Sequence, residues 1–327
     1  MEFGLLLPHF GEQADPDKVT RGARRAEELG FASVWVRDHL LFEPHGEFEK
    51  PDNTFYEALT TLMAAGMVTE RLKLGTGALI PFRNPVHLAL TAATMTQFLG
   101  DRLILGMGSG NDEREFEAAG LGGIFRPELV ESNARLLRRL WSEDGVDHAD
   151  DHYQFTDLSV SPKPPARSIP YWYCGNVPAT VRRAVAYCDG WMPGRISLPT
   201  MRQRIELMEQ LSEEAGRQRP TVGMIPVTSV ESSREAALDA VSIPGLCAWA
   251  NKSKYWVRPE SGTFETAEDL EGVLIAGTPD QVVEQVERIR QAGVDHVVFD
   301  FRMKFERWDE QIELIGTEVL PHVVDRS

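Results

Sequence analysis

The sequence predicts an α/β protein built as a single (β/α)8 barrel of the TIM type. Three observations lead there. Short apolar runs recur along the chain, most of them followed by one amphipathic stretch and a glycine-rich or polar junction. At 327 residues the chain is long for one ordinary domain, but barrels of this plan commonly run to roughly 250 residues or more as one unit. An open, doubly wound sheet should carry a dominant glycine fingerprint in its first turn, and none stands there. Residues 1–327 therefore read as one barrel domain, with a hairpin excursion and a lid insertion in the C-terminal half.

Phe3 to Leu7 is the first predicted strand. From Pro16 to Leu29, Val19, Ala23, Ala26 and Leu29 fall on one helical face, and Gly30 is a natural stop. Ala32 to Val36 is a continuous apolar run, as expected of a strand buried on both faces. A helix from about Tyr56 to Val68 leads to a strand at Leu72 to Thr76. Pro85 opens a helix that ends before Gly100, and Arg102 to Gly106 is the fourth strand.

The second half repeats the plan less regularly. A helix over Glu128 to Trp141 enters a polar stretch, Ser142 to Pro165, read as a small hairpin. Pro170 to Cys174, Gly190 to Met192, Thr221 to Val227 and Val294 to Phe299 are the remaining strands, with helices at Pro178 to Tyr187 and Thr200 to Ala215. Val241 to Glu271 has no clear period. Its Trp249, Tyr255 and Trp256, with Lys252, Lys254 and Arg258, favour an ordered lid over a solvated linker.

Composition narrows the partners. Asp and Glu number 50 against 34 Lys and Arg, a formal net charge of -16, which repels nucleic acid and anionic membranes. No run of about 18 apolar residues suggests a transmembrane helix. Cys174, Cys188 and Cys247 are odd in number and unrelated in spacing, so no disulfide framework is expected, and the eight histidines show no metal-ligand spacing. Glu2 to Pro8 does not read as a signal peptide, and a cytoplasmic protein is expected.

Candidate functional residues sit where strands end, because the C-terminal face of a barrel carries the active site. Asp38 and His39 close the second strand, where a His beside an Asp can shuttle a proton near neutral pH; capping of backbone groups is the plainer alternative. Gly75 and Gly77 at the mouth of the third strand allow a bulge or close approach to a ligand, or simply a turn. Gly106, Gly108 and Gly110 alternate after the fourth strand and bare their N–H groups to an anion or flat ring; this is neither a dinucleotide fingerprint nor a P-loop. Cys174-Gly175-Asn176-Val177-Pro178 ends the fifth strand with N–H donors aimed outward, suited to a phosphate or to a plain helix cap. Trp191 suits a ring pocket or the core, and Arg195 an anionic group. Gly277-Thr278-Pro279-Asp280 is a structural helix start.

Taken in order, a larger set resembles one family. It comprises Phe3–Pro8, Ser33–His39, Leu74–Gly77, Pro81–Val86, Asp101–Gly108, Asp189–Pro193, Gly277–Asp280 and Ala292–Val298. This set is similar to the luciferase-like flavin-dependent oxidoreductases over essentially the whole chain, apart from the hairpin and lid. The resemblance implies an enzyme holding an isoalloxazine-type ring at the barrel mouth. It places a bulge, often with a non-proline cis peptide, at Gly77–Ala78 behind that ring. Gly108, Ser109, Gly110 and Asn111, with Cys174, Gly175, Asn176 and Val177, would then receive the ring edge and phosphate. His39, with Asp38, falls where deazaflavin-using members carry a histidine near the reactive face.

Coenzyme F420 is the cofactor the resemblance favours, with FMN as the alternative. The reaction implied is hydride transfer to, or oxygenation of, a small organic substrate. A two-component FMN-dependent monooxygenase is the rival, and a non-catalytic flavin-binding protein a second. Arg195, Trp191, Trp249 and Trp256 are the expected substrate contacts. Lys252, Lys254 and Arg258 would meet an acidic cofactor tail. A separate flavin or F420 reductase and a second copy of the chain are the expected partners. Two departures stand out: Ser109 replaces an acidic residue of the F420-dependent sugar-phosphate dehydrogenases, and Phe42 and Glu43 stand where those enzymes carry a Trp.

Overall fold

The computed structural model describes residues 1–41, 49 and 54–324. Eight parallel strands close into a barrel: β1 (Glu2–Leu6), β2 (Ser33–Val36), β3 (Lys73–Thr76), β4 (Leu103–Gly108), β5 (Tyr171–Cys174), β6 (Gly190–Met192), β7 (Thr221–Met224) and β8 (His296–Phe299). Each pairs with the next, and β8 closes on β1 with Leu5 opposite Phe299. The closed parallel barrel is the architecture the sequence predicts.

Burial on both faces explains the continuous apolar strands: all four residues of β2 are buried. The barrel interior is filled by pairing large side chains with none. A Cβ at Gly75 would lie 2.4 Å from the Trp35 ring, and one at Gly190 would lie 2.5 Å from Trp172. Trp35 and Trp172 meet at 5.3 Å between ring centroids. The barrel is a packed core rather than a pore, so ligand chemistry is confined to its ends.

Helix starts follow local chemistry. Asp15 accepts from the Lys18 N–H at 2.7 Å ahead of Pro16–Glu28, and Asn84 accepts from Val86 at 3.0 Å ahead of Pro85–Leu99. Thr278 and Gln281 form a capping box, bearing out the structural reading of Gly277–Asp280. The polar excursion is the expected hairpin, Val146–Ala149 against Gln154–Leu158.

Two expectations change. The predicted strand from Thr221 to Val227 is broken at Pro226, which has no N–H to give a ladder. Beyond it, Val227–Val230 pairs in parallel with Leu274–Gly277 in a separate two-stranded sheet. The segment from Val241 to Glu271 is ordered, as expected, but it contains a helix that its lack of period did not show, Ile243–Asn251, and it packs with Trp256, Phe264 and Leu270 buried. Asn251 ties it together, accepting from Phe264 N at 2.9 Å and Arg258 Nη1 at 3.2 Å. Among the described residues, no helix is long and apolar enough to cross a membrane.

Candidate active site

A cleft of about 400 Å³ opens at the C-terminal ends of the strands. One wall is mostly backbone: Gly77 and Ala78 after β3, Gly108 to Asn111 at and after β4, and Cys174 to Asn176 at the end of β5. The Gly77–Ala78 peptide bond is cis. A Cβ at Gly108 would stand 3.1 Å from the Cys174 carbonyl oxygen and 3.3 Å from the Ala78 Cβ, so a side chain there would press on both neighbouring strand ends. Gly110, at φ 65°, adopts a conformation that glycine takes at little cost. Burial pushes the Cys174 thiol far above its usual pKa, so it stays protonated and lines the wall without acting as a nucleophile. A flat ring fits such a wall, because bare backbone allows close approach and offers N–H donors.

His39 lines the same cleft with its side chain 8% exposed. Its Nδ1 lies 3.3 Å from both carboxylate oxygens of Glu115, and its Nε2 lies 3.4 Å from Arg37 Nη2, a donor. Those partners select the tautomer with Nδ1 protonated and Nε2 as acceptor. Glu115, fully buried on the short helix Glu113–Ala118, also accepts from the Leu40 and Leu41 N–H groups at 2.6 and 3.2 Å. Burial works to raise its pKa, but the His39 contact and these two amides outweigh it and hold the carboxyl below its usual range.

The predicted partnership of Asp38 with His39 is corrected by this arrangement. Asp38 accepts from Arg83 at 2.5 and 2.8 Å and from the Ile80 N–H at 2.9 Å. Its negative charge is committed to pinning the loop after β3. Burial disfavours the Arg83 charge, but the ion pairs with Asp38 and Glu57 more than offset it and keep its pKa raised.

On its other side the cleft is lined by Arg37, just after β2; Arg195 after β6, and Asp300 and Arg302 after β8, do not line it, so the expected substrate contact at Arg195 is not part of the cleft. Arg302 Nε donates to Asp300 at 2.5 Å and its Nη1 pairs with Glu49, whose Oε1 also meets Arg37 Nη1 at 3.2 Å. Phe10 lies under both guanidiniums, 4.8 Å from that of Arg37 and 5.7 Å from that of Arg302. Arg195 stacks on Trp249 at 4.8 Å. Burial, then the charge of Arg302, draws the Arg37 pKa down to about 10 despite Glu49 and Asp300. His9 Nε2 accepts from the Arg37 N–H at 3.0 Å, and burial lowers the His9 pKa to about 3, so it serves as a neutral anchor.

A profile for the luciferase-like monooxygenases matches residues 1–296. The chain belongs to the luciferase-like monooxygenase family. Within it, the chain is 31% identical over 307 residues to the F420-dependent glucose-6-phosphate dehydrogenase of Nocardia farcinica, covering 88% of this chain and 89% of that one. It is 26% identical to the 5,10-methylenetetrahydromethanopterin reductase of Methanopyrus kandleri over 98% of both chains. An F420-dependent secondary alcohol dehydrogenase, solved with an F420-acetone adduct, superposes with a TM-score of 0.81 at 22% identity over 99% of each chain.

For this family member the structure brings together most of the residues singled out from sequence. Gly77, Ala78, Gly108, Ser109, Gly110, Asn111, Cys174, Gly175 and Asn176 share one cleft with His39. Val177 does not line it; it precedes the helix Pro178–Tyr187. Trp191 is fully buried and donates to the Gly175 carbonyl at 2.9 Å and to Thr180 Oγ1 at 3.1 Å, so it supports the Gly175 turn and does not line the cleft, against the substrate contact expected of it. Trp256 packs between Trp249 and Phe264 inside the insertion, away from the cleft. Arg258 is held by the Asn251 and Ser253 carbonyls at 3.0 Å, while Lys252 and Lys254 are exposed. Phe42 and Glu43 lie outside the described residues.

Sequence reasoning missed Arg37, Glu49, Asp300, Arg302 and Glu115. Asp300 and Arg302 had a usable signal, since they stand directly after an apolar strand just as Asp38 and His39 do. Glu115 had none, because Glu113, Glu115 and Glu117 look alike on a short helix.

Proposed function

We propose that this chain is an oxidoreductase that uses reduced coenzyme F420 for hydride transfer to a small organic substrate, with His39 as its proton carrier. The observation that carries this reading is His39, backed by the buried Glu115 carboxylate, in one cleft with a glycine-rich wall. F420-dependent enzymes among the relatives support the deazaflavin over FMN. Gly77–Ala78, Gly108–Asn111 and Gly175–Asn176 would hold the ring and its phosphate. When bound, the reduced deazaflavin supplies a hydride equivalent. His39 Nε2 would give or take the accompanying proton, and Glu115 would stabilise the imidazolium through Nδ1–H. The three cysteines are free, in keeping with a cytoplasmic protein.

Fluorescence titration with F420 and with reduced and oxidised FMN tests the cofactor. Micromolar or tighter binding of F420 alone is expected; preference for reduced FMN would favour a two-component monooxygenase, assayed by oxygen uptake. Once a substrate is found, His39→Ala should lower turnover by about 100-fold or more with F420 affinity kept. Unchanged turnover removes His39 from the chemistry.

The protein's proposed partner is a second copy of itself. Helices Ala58–Met67 and Pro85–Leu99 adjoin each other and contain no Asp, Glu, Lys or Arg, in a chain of net charge -16. They expose Met67, Leu90 and Phe98, the last 64% exposed. Such a neutral apolar face suits a copy of itself, for which no opposite charge is needed. Sedimentation should give a dimer that Phe98→Glu dissociates; a wild-type monomer at micromolar concentration rejects the interface.

A further inference from the structure

For a proton carrier, His39 is loosely held by its polar partners. Its Nδ1 contacts with Glu115 are 3.3 Å each and its Nε2 contact with Arg37 is 3.4 Å, all longer than the usual range of roughly 2.7–3.2 Å. The χ2 torsion of a histidine is broad rather than sharply staggered. Long contacts of this kind choose which nitrogen faces Glu115 but set the tilt of the ring weakly. A third neighbour supplies what they lack. The Phe55 ring lies 5.3 Å from the His39 ring at 85°, an edge-to-face pair.

Phe55 is itself fixed by residues that follow β1. It stacks on Phe10 at 5.6 Å and 21° and meets His9 edge-to-face at 5.1 Å. Phe10 and Phe55 pair as an antiparallel bridge, flanked by Gly11 N–H donating to the Thr54 carbonyl and Tyr56 N–H to the His9 carbonyl, both at 2.9 Å. The Tyr56 hydroxyl adds a bond to the Ala14 carbonyl at 3.1 Å. His9 also holds the backbone that leads to His39, since its Nε2 accepts from the Arg37 N–H and its Nδ1 donates to the Leu7 carbonyl at 2.8 Å. One short ribbon thus sets both the approach of the chain to His39 and the ring beside it.

We propose that Phe55 is a positioning residue for His39. Its ring, seated on Phe10 and His9, keeps the imidazole in the single orientation that puts Nδ1–H on Glu115 and leaves Nε2 as the acceptor. Phe55 does not line the cleft, so any effect on the reaction passes through His39. The effect on turnover rests on the proposed function; the orientation of the ring does not.

Nitrogen-15 NMR of the full-length protein, labelled at the histidine ring nitrogens, tests it at a pH where the imidazole is neutral. The His39 signals are assigned by their loss in His39→Gln. Wild type is expected to show one tautomer, protonated at Nδ1. Phe55→Leu should give a mixture of both tautomers, and Phe55→Tyr, which keeps the ring, should restore the single one. Once a substrate is found, Phe55→Leu should lower kcat by up to about tenfold, the size an edge-to-face pair allows, with KM and F420 affinity within about twofold. A wild-type His39 protonated at Nε2, or a tautomer unchanged in Phe55→Leu, overturns the inference. So does an unchanged kcat when the tautomer is lost. If Phe55→Leu does not fold, the wild-type protein decides: ring-to-ring nuclear Overhauser contacts between Phe55 and a single His39 tautomer support the inference, and mixed tautomers overturn it. The expected tautomer shift in a protein that binds no flavin or deazaflavin leaves the positioning of His39 standing and removes the proposed function instead.

Discussion

The two flanks of the cleft present their ligand-facing atoms in opposite ways. Along β3, β4 and β5 the wall is rich in glycine, with Gly77, Gly108, Gly110 and Gly175 in it. After β2, Arg37, Asp38 and His39 bring ionisable side chains to the cleft, and Arg37 is tied through Glu49 to Arg302 and Asp300. The first flank suits a flat group whose shape does not vary. The second depends on side-chain identity and on ion pairs that reach into the buried part of the barrel mouth. The flanks therefore differ in kind: one is rich in glycine, the other carries ionisable side chains.

The comparison breaks most sharply at Arg302. Its removal in Arg302→Ala leaves Asp300, fully buried, without its 2.5 Å partner, and breaking a buried pair costs about 3–5 kcal/mol. Denaturant unfolding should register that loss; less than about 1 kcal/mol would mean water reaches the pair as it does at a surface. The backbone flank should respond in the other currency, binding. Gly108→Val adds bulk beside the Cys174 carbonyl and Ala78 and should weaken F420 binding by about 100-fold, or about 2.7 kcal/mol. If F420 affinity were untouched while the protein unfolded, that glycine would serve the barrel and not the ligand.

The smallest expected effect sharpens the join between the flanks. Glu115 has a folded-state pKa below its ordinary 4.5. Its ionised contacts thus contribute stability above the unfolded pKa, and that contribution is lost as pH falls through the lowered folded value. In Glu115→Gln the stability gap from wild type should be widest at neutral pH and close in acid. The amide oxygen can still accept from Leu40 and Leu41, so the neutral-pH gap reports chiefly on charge and His39. A gap independent of pH would show that packing, not the carboxylate charge, is what Glu115 supplies.

Legibility in the sequence followed the range of the interactions. The capping box at Thr278, the proline-led helices and the glycines of the backbone wall all act within a few residues, and each was readable. Pro226 was equally visible, yet the parallel pairing of Val227–Val230 with Leu274–Gly277 joins segments more than forty residues apart. The insertion hid for a related reason. Its helix is short, and Trp256 is buried by contact with Trp249 and Phe264 rather than by any periodic face. Asp38 shows the converse error: it stands next to His39 in sequence, but its carboxylate reaches Arg83, and the histidine's partner comes from Glu115.

By itself the sequence determined the barrel and the glycines at its mouth, because apolar period, strand-end position and glycine spacing are local and repeat around the fold; the family followed from the resemblance of its ordered motifs. Only the tertiary structure decided which charges meet. Glu49 and Arg302 are joined across 253 positions, and Arg195 finds Trp249 within the insertion. Chain separation carries no such information. Closure of the barrel brings those ends to one mouth, and there burial makes each charge answer to its neighbours rather than to water.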